Sequence, residues 1–322
     1  MKRVIAIAFS DLHINLWNKF NKDNKRTLDH FRVLLKIYKL CKKYNCPALF
    51  CGDLFHKPEM SENELMDLLS ENKYGFTDEF GLKHIYAISG NHDMSKTNSI
   101  DKPSPSWVKF LDSIGYLYCI DFDSTEITKG VMVYGIPYLD HNIGLNDYIK
   151  KVELDKTKKN ILMLHSDYPG AKDNDGMEIG SVENLNINLL SKFDLVLMGH
   201  IHKPQRLSKK VYMLGAPLHQ RRTDRGSKLG CYLIYEDLTL EFKHLKGFPE
   251  FIDVESEDQV KDDGNYYTVI KKPLEVSEKT YKTISKEFSK KKIVRLYLKN
   301  QGIKDKSKKK VLLDIIKETE ND

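Results

Sequence analysis

Five short polar clusters, each closing an apolar run, hold the side chains best suited to chemistry: Asp11-Leu12-His13, Gly52-Asp53, Gly90-Asn91-His92-Asp93, His165 and Gly199-His200-Ile201-His202. Asp11 and His13 are separated by one intervening residue, so at a strand end both can turn to the same cation. Asp53 follows a glycine that allows a sharp bend, and its two carboxylate oxygens can serve two ions. Asn91 offers a neutral oxygen, which limits negative charge. His165 adds a nitrogen at the end of Ile161-Leu162-Met163-Leu164, and His200 and His202 straddle one residue, so their imidazoles can reach different ions. We assign Asp11, His13, Asp53 and His202 to one metal and Asp53, Asn91, His165 and His200 to a second. Mixed carboxylate and imidazole donors suit manganese, iron or zinc.

Two divalent ions about 3.5–4 Å apart activate water and neutralise the charge that builds on a phosphoryl group in flight. The expected chemistry is therefore phosphoester hydrolysis. His92 is left over from the ligand set. An imidazole oriented by a carboxylate is a general acid able to protonate a leaving alkoxide, and Asp93 is its expected orienter. A lone Gly-Asp arises by chance in turns; the ordered co-occurrence of all five clusters carries the inference.

These clusters need strands behind them. Val4–Phe9, Ala48–Cys51, His84–Ile88, Val131–Gly135, Ile161–Leu164 and Leu195–Met198 have strand composition, and near-continuous apolar strands belong in sheets covered on both faces. Thr27–Tyr44 places Leu28, Phe31, Leu34, Leu35 and Tyr38 at helical spacing, so the N-terminal part reads β-α-β. Ser61–Leu69 carries a capping box at Ser61 and Glu64. Past His202, Val211–Leu214, Gly230–Tyr235 and Leu240–Leu245 read as short strands of a meander in another sheet. The predicted architecture is a four-layer α/β/β/α sandwich with every cluster at a strand's carboxyl end, where open α/β sheets place ligands.

With 322 residues, the chain exceeds what one core usually fills. Residues 1–250 are expected to form the catalytic domain and residues 251–322 a small α/β domain. In the latter, Glu255–Asn265 reads as a linker before strand Tyr266–Ile270, helix Ser277–Phe288, strand Ile293–Leu298 and helix Lys308–Lys317. A net charge of +6 permits a polyanionic partner without requiring one. The run Lys290–Lys310, which includes Lys290, Lys291 and Lys292, could form an electrostatic footprint on DNA through counterion release. Five cysteines without Cys-x-x-Cys spacing exclude a disulfide framework and a zinc ribbon. No stretch approaches the ~18 apolar residues of a membrane span, so a reducing cytoplasm is the expected compartment.

Together the clusters are similar to the full signature of the calcineurin-like metallophosphoesterase superfamily, over roughly residues 1–245. Within it the chain most resembles the DNA-repair nuclease branch of Mre11 and SbcD proteins and the recombination nuclease subunits of large bacteriophages. That likeness rests on Gly52-Asp53-Leu54-Phe55-His56, Leu214-Gly215-Ala216-Pro217-Leu218 and the basic stretch Arg221–Gly230. The resemblance implies a manganese-dependent nuclease acting on DNA ends, with magnesium, iron or zinc as alternative ions. It also implies an SMC-like ATPase partner of the Rad50 or SbcC type, a homodimer, and residues 251–322 as a cap over the active site that touches DNA. His56 matches a family histidine that positions the DNA strand. Arg221, Arg222 and Arg225, with His219, could contact phosphates, because guanidinium forks match phosphate oxygens. Trp17 and Phe20, in the polar loop after His13, are expected to pack in the core, with stacking on bases or covering the site rim as the alternatives. The competing readings are a phosphatase or phosphodiesterase of the same superfamily acting on a small nucleotide or phosphoprotein, and a non-catalytic scaffold, which the intact clusters disfavour.

Overall fold

The computed structural model describes residues 2–14, 25–58, 84–95, 98–173, 176–179, 185–220, 224–254, 266–270 and 294–296. The described chain runs β1 (Val4–Phe9), α1 (Lys25–Tyr44), β2 (Ala48–Phe50), β3 (Ile85–Ala87), α2 (Trp107–Ser113), β4 (Tyr118–Cys119), β5 (Ser124–Thr128), β6 (Val131–Ile136) and α3 (Leu145–Lys151). It continues through β7 (Lys159–His165), β8 (Leu195–Gly199), β9 (Gln205–Arg206), β10 (Val211–Met213), β11 (Gly230–Tyr235), β12 (Leu240–His244), β13 (Glu250–Val254), β14 (Tyr266–Ile270) and β15 (Val294–Leu296). It divides into two compact units, Met1–Leu218 with Ser227–Lys246, and His219–Gly226 with Gly247–Asp322.

The first unit contains two six-stranded sheets, ordered β12-β11-β1-β2-β3-β4 and β5-β6-β7-β8-β10-β9. In the first sheet, the parallel run β1 to β2 to β3 to β4 ends at the sheet edge and antiparallel β11 and β12 lie on its other side; in the second, the parallel run β6 to β7 to β8 to β10 is flanked on both sides by antiparallel β5 and β9. Side chains of successive residues alternate between sheet faces. Accordingly Val131, Val133, Ile161, Met163, Leu195 and Leu197 face one way and pack with Ile5, Ala8, Leu49, Ile88 and Ile234 of the other sheet. Tyr134, Ile136, Leu162, Leu164, Val196 and Met198 face the other way and pack with Leu145 and Ile149 of α3. Both faces of this sheet are buried at its centre, which is why β6, β7 and β8 read as apolar runs. Helix α1 packs on β1 and β2 and buries Phe31, Leu34 and Ile37. These are the layers of an α/β sandwich.

One expectation fails on sheet membership. The late strands do not make a meander of their own: β10 joins β8 in parallel, whereas β11 and β12 return to pair antiparallel beside β1. The β11–β12 hairpin has the polar outer strand expected at a sheet edge, so its local pattern says nothing of which sheet it closes. The expected helix Ser61–Leu69, Trp17 and Phe20 lie outside the described residues.

The second unit contains a parallel sheet, β13-β14-β15. In it His219 is buried, its Nδ1 accepts the backbone N–H of Phe251 at 2.8 Å, and its ring lies nearly parallel to that of Phe251. This corrects the phosphate-contact expectation for His219: a ring at 1 % exposure that is bonded through Nδ1 anchors the start of β13. The Nε of Arg225 is buried as well. Arg221, Arg222, Lys290, Lys291, Lys292, the linker Glu255–Asn265 and the helices expected at Ser277–Phe288 and Lys308–Lys317 lie outside the described residues. All five cysteines are free thiols. No described helix is long and apolar enough to cross a membrane.

Candidate metal centre

Each cluster sits where its strand ends. Beyond β1, the N–H groups of Asp11, His13 and Ile14 donate to the carbonyls of Gly52, Asp53 and Leu54, so the first two clusters run side by side past the sheet edge. Left-handed backbone makes this possible: Asp11 (φ 52°), His13 (50°), Asp53 (60°) and His200 (102°) are four of the nine described non-glycine residues at positive φ. Such conformations cost about 1–3 kcal/mol each and persist where surrounding structure over-determines them. Their concentration at four sequence-predicted ligands marks the site independently of residue type. Gly90 has no room for a side chain, since a Cβ there would collide with the backbone and carboxylate of Asp53.

The nine cluster residues meet around one carboxylate. Oδ2 of Asp53 lies 3.6 Å from Nε2 of His13 and 3.4 Å from Nε2 of His165. On one side, Nε2 of His13 faces Nε2 of His202 at 3.1 Å, and Asp11 completes that group. On the other, Oδ1 of Asn91 lies 3.1 Å from both Nε2 of His165 and Nδ1 of His200. The two expected ligand sets are thus distinct groups joined through Asp53. A single oxygen faces both sides, whereas Oδ1 accepts the backbone N–H of His92 at 2.9 Å; the expectation that the two oxygens divide the task is corrected accordingly.

The donor sets fit divalent ions. Ligands at ~2.1 Å from a cation stand about 3.0 Å apart at right angles and about 3.4 Å apart at tetrahedral angles. The observed donor spacings of 3.1 to 3.6 Å are edges of such polyhedra. Nδ1 of His165 meets the carbonyl oxygen of Cys51 at 2.7 Å, which fixes a hydrogen on Nδ1 and turns Nε2 inward. Several electron-pair donors converging in a buried pocket repel one another unless a cation or proton lies among them.

Electrostatics agree. Burial opposes charge on Asp53, but His165 and His13 outweigh it and hold its carboxyl well below the usual range. Burial likewise opposes charge on His165, and Asp53 and Asp11 overcome it, lifting that imidazole to about 9. For His13 burial dominates, and with His202 and His92 nearby its pKa falls well below the ordinary value despite Asp53. Burial raises Asp11, partly offset by His165 and His202.

His92 lies beside this cage, its ring edge-on to His13 with centroids 4.8 Å apart. Its orienter is not Asp93. Nδ1 of His92 meets the backbone carbonyl of His56 at 2.6 Å, and the two rings stack at 5.6 Å. Asp93, at the end of the short 3-10 turn Asn91–Asp93, folds inward and accepts backbone N–H groups from Gly90 (2.9 Å), Asp53 (2.9 Å) and Phe55 (3.0 Å). With three amide N–H groups converging on its two oxygens it braces the Asp53 loop against the Asn91 loop, while the neighbouring ring takes the His56 carbonyl as its partner. The turn at Ala216 donates its N–H to the carbonyl of His202, so Leu214–Leu218 underpins the last ligand.

Two nearby residues escaped the sequence analysis. Oδ1 of Asp167 lies 3.3 Å from Nε2 of His200, and Tyr138 lies nearly parallel to the His200 ring with centroids 5.8 Å apart. The Asp-x-His spacing at 11 and 13 recurs reversed as His165-x-Asp167, the one signal that pointed to the carboxylate.

The sequence model of the calcineurin-like phosphoesterases matches residues 6–204, a span that holds every ligand described above. Among curated proteins, the SbcD component of the nuclease SbcCD from Staphylococcus saprophyticus is 24% identical over 204 residues, covering 62% of this chain and 50% of that protein. The chain thus spans about half the length of that relative. Among solved structures, TT1561 of Thermus thermophilus is 14% identical with a TM-score of 0.40, over 76% of this chain and 99% of that one. GAP50, the anchor in the inner membrane complex of Plasmodium, is 11% identical with a TM-score of 0.42, over 77% of this chain and 90% of that one. On the family match and the ordered ligand set, this chain belongs to the calcineurin-like phosphoesterase family.

Proposed function

We propose that this phosphoesterase is a manganese-dependent DNA nuclease that hydrolyses phosphodiester bonds at linear duplex ends or in single strands, with a partner ATPase of the SMC-like Rad50/SbcC type. The observation that carries the hydrolytic part is the single oxygen of Asp53 facing both ligand groups, with His92 alongside. The preference for DNA is supported by similarity to a protein named as a component of the nuclease SbcCD and by the basic stretches at Arg221–Gly230 and Lys290–Lys310.

Two divalent ions, one held by Asp11, His13, Asp53 and His202 and the other by Asp53, Asn91, His165 and His200, would supply Lewis acidity at phosphorus and lower the pKa of water. The chain's own groups do the rest. Cys51 keeps a hydrogen on Nδ1 of His165, so Nε2 is the donor nitrogen. The His56 carbonyl requires a hydrogen on Nδ1 of His92, so the proton given to a leaving oxygen would be the second one, carried on Nε2 of the imidazolium form, and the ring would be left neutral with its hydrogen on Nδ1. Asp93 keeps the loops of Asp53 and His92 in register. His56, stacked on His92, is placed to steer the substrate strand beside it. Arg221, Arg222, Arg225, Lys290, Lys291 and Lys292 are assigned to phosphate contacts, and residues 251–322 to a DNA-contacting unit.

The test is digestion of end-labelled linear duplex and single-stranded DNA with Mn²⁺, beside a chromogenic phosphodiester. Cleavage of DNA and not of the chromogenic ester is the expected result. The opposite pattern would replace the nuclease with an enzyme acting on a small phosphoester.

A further inference from the structure

His200 is held from three directions, once through its backbone and twice through its ring. Its backbone N–H donates to Oδ1 and Oδ2 of Asp11 at 3.0 and 3.2 Å, Tyr138 lies against one face, and Asp167 stands at Nε2. The first two contacts set where the ring lies, but neither distinguishes its two nitrogens. A neutral imidazole carries one hydrogen, on Nδ1 or on Nε2. Nδ1 faces Oδ1 of Asn91 at 3.1 Å, inside the second ligand group. That oxygen could accept a hydrogen from Nδ1 and so competes with Asp167 for the single hydrogen of the neutral ring; a hydrogen on Nδ1 would occupy the lone pair that an ion needs.

We propose that Asp167 is the positioning residue of the second ion: its carboxylate takes the Nε2 hydrogen of His200, so that Nδ1 presents a bare lone pair toward Asn91, His165 and Asp53. His165 achieves the same end with the opposite nitrogen, since the Cys51 carbonyl takes the hydrogen at Nδ1 and Nε2 points inward. Both imidazoles of the second group therefore have an oxygen acceptor at the outer nitrogen, an arrangement that fixes the tautomer and raises ligand basicity. Asp167 stands outside the cage, at 30% side-chain exposure, so changing it leaves the buried ligands and the core in place. The inference rests on the metal-centre assignment made under the proposed function, and its test separates the two.

Histidine-labelled protein treated with chelator reports the His200 tautomer by nitrogen NMR at a pH where the ring is neutral. The wild type should show the hydrogen on Nε2, Asp167→Ala should lose that preference, and Asp167→Asn should keep most of it, because the amide oxygen still accepts. Calorimetric titration with Mn²⁺ should then show second-ion affinity about 10- to 100-fold weaker in Asp167→Ala, with rescue in Asp167→Asn. A wild-type ring carrying its hydrogen on Nδ1, or an Asp167→Ala ring unchanged from wild type, overturns the proposal whatever the ion count. Wild-type protein binding fewer than two ions would instead remove the metal-centre assignment, while the NMR arm still decides the role of Asp167.

Discussion

The two ligand groups share one carboxylate oxygen yet are held in unlike ways. Around Asn91, His165 and His200, both imidazoles have an oxygen at the outer nitrogen, from Cys51 and Asp167. Across Asp53, Nδ1 of His13 is buried with no hydrogen-bond partner among the described residues. A buried unsatisfied polar group costs about 1–3 kcal/mol, and among the described residues no group outside the cage selects the His13 tautomer that turns a lone pair inward. Their protons differ too: His165 is lifted to about 9 by carboxylates that outweigh its burial, whereas burial holds His13 well below the ordinary value. One half is set by hydrogen bonds and carries a proton that an ion must displace. In the other, burial holds the His13 imidazole neutral down to lower pH.

The comparison breaks most completely at the shared oxygen. Asp53→Asn removes the charge that both halves use, and turnover should fall to background with both ions lost, as kinetics and bound-metal analysis would report. Retention of one ion at wild-type affinity would mean that the halves are independent. His92→Gln should instead lower kcat by roughly 10²–10⁴-fold while leaving two ions bound, because its ring stands beside the cage. Loss of ions in that variant would make His92 a ligand. Asp93→Ala should act on stability: three buried N–H groups lose their acceptor at about 1–3 kcal/mol each, so a loss of roughly 3 kcal/mol or more is expected in denaturant titration. A slowed enzyme of unchanged stability would restore Asp93 as the partner of His92.

The proton difference sharpens the contrast with a smaller effect. Below its raised pKa His165 carries a proton in chelator-treated protein, so ion uptake at its half should release a proton and strengthen with pH up to about 9. At the His13 half, His13 itself should add no such dependence above neutral pH, because burial holds its pKa well below the ordinary value. The sign for folding is opposite. The raised pKa of His165 contributes stability that is fully present below the ordinary histidine value and is lost as pH rises through about 9. Chelator-treated protein should therefore melt at lower temperature at pH 9.5 than at pH 6, with the Mn²⁺-loaded protein less affected. Calorimetry in buffers of differing ionisation enthalpy counts the proton.

Much of the centre was legible because its parts repeat one physical arrangement. Where both faces of a strand are buried the run is apolar throughout, as in β1, β7 and β8, and the polar residues that end it are conspicuous. Less legible were elements that bury only one face or lie at an edge. Strand β5, half-exposed at a sheet margin, and the seven-residue helices α2 and α3 carry mixed patterns that do not stand out from loops. Contacts between distant residues were not legible at all. Asp93 meets amides 38 and 40 positions away, Asp167 meets a ring 33 residues on, and His219 meets Phe251 32 residues later. Adjacency in sequence suggested His92 as the partner of Asp93, and the backbone demand for buried acceptors decided otherwise.

The central claim is most directly tested by locating bound manganese through anomalous scattering from crystals of the Mn²⁺-loaded protein. Two peaks are predicted, one within Asp11, His13, Asp53 and His202 and the other within Asp53, Asn91, His165 and His200, with Oδ2 of Asp53 coordinated to both. A single peak, or two peaks that share no oxygen of Asp53, would contradict it.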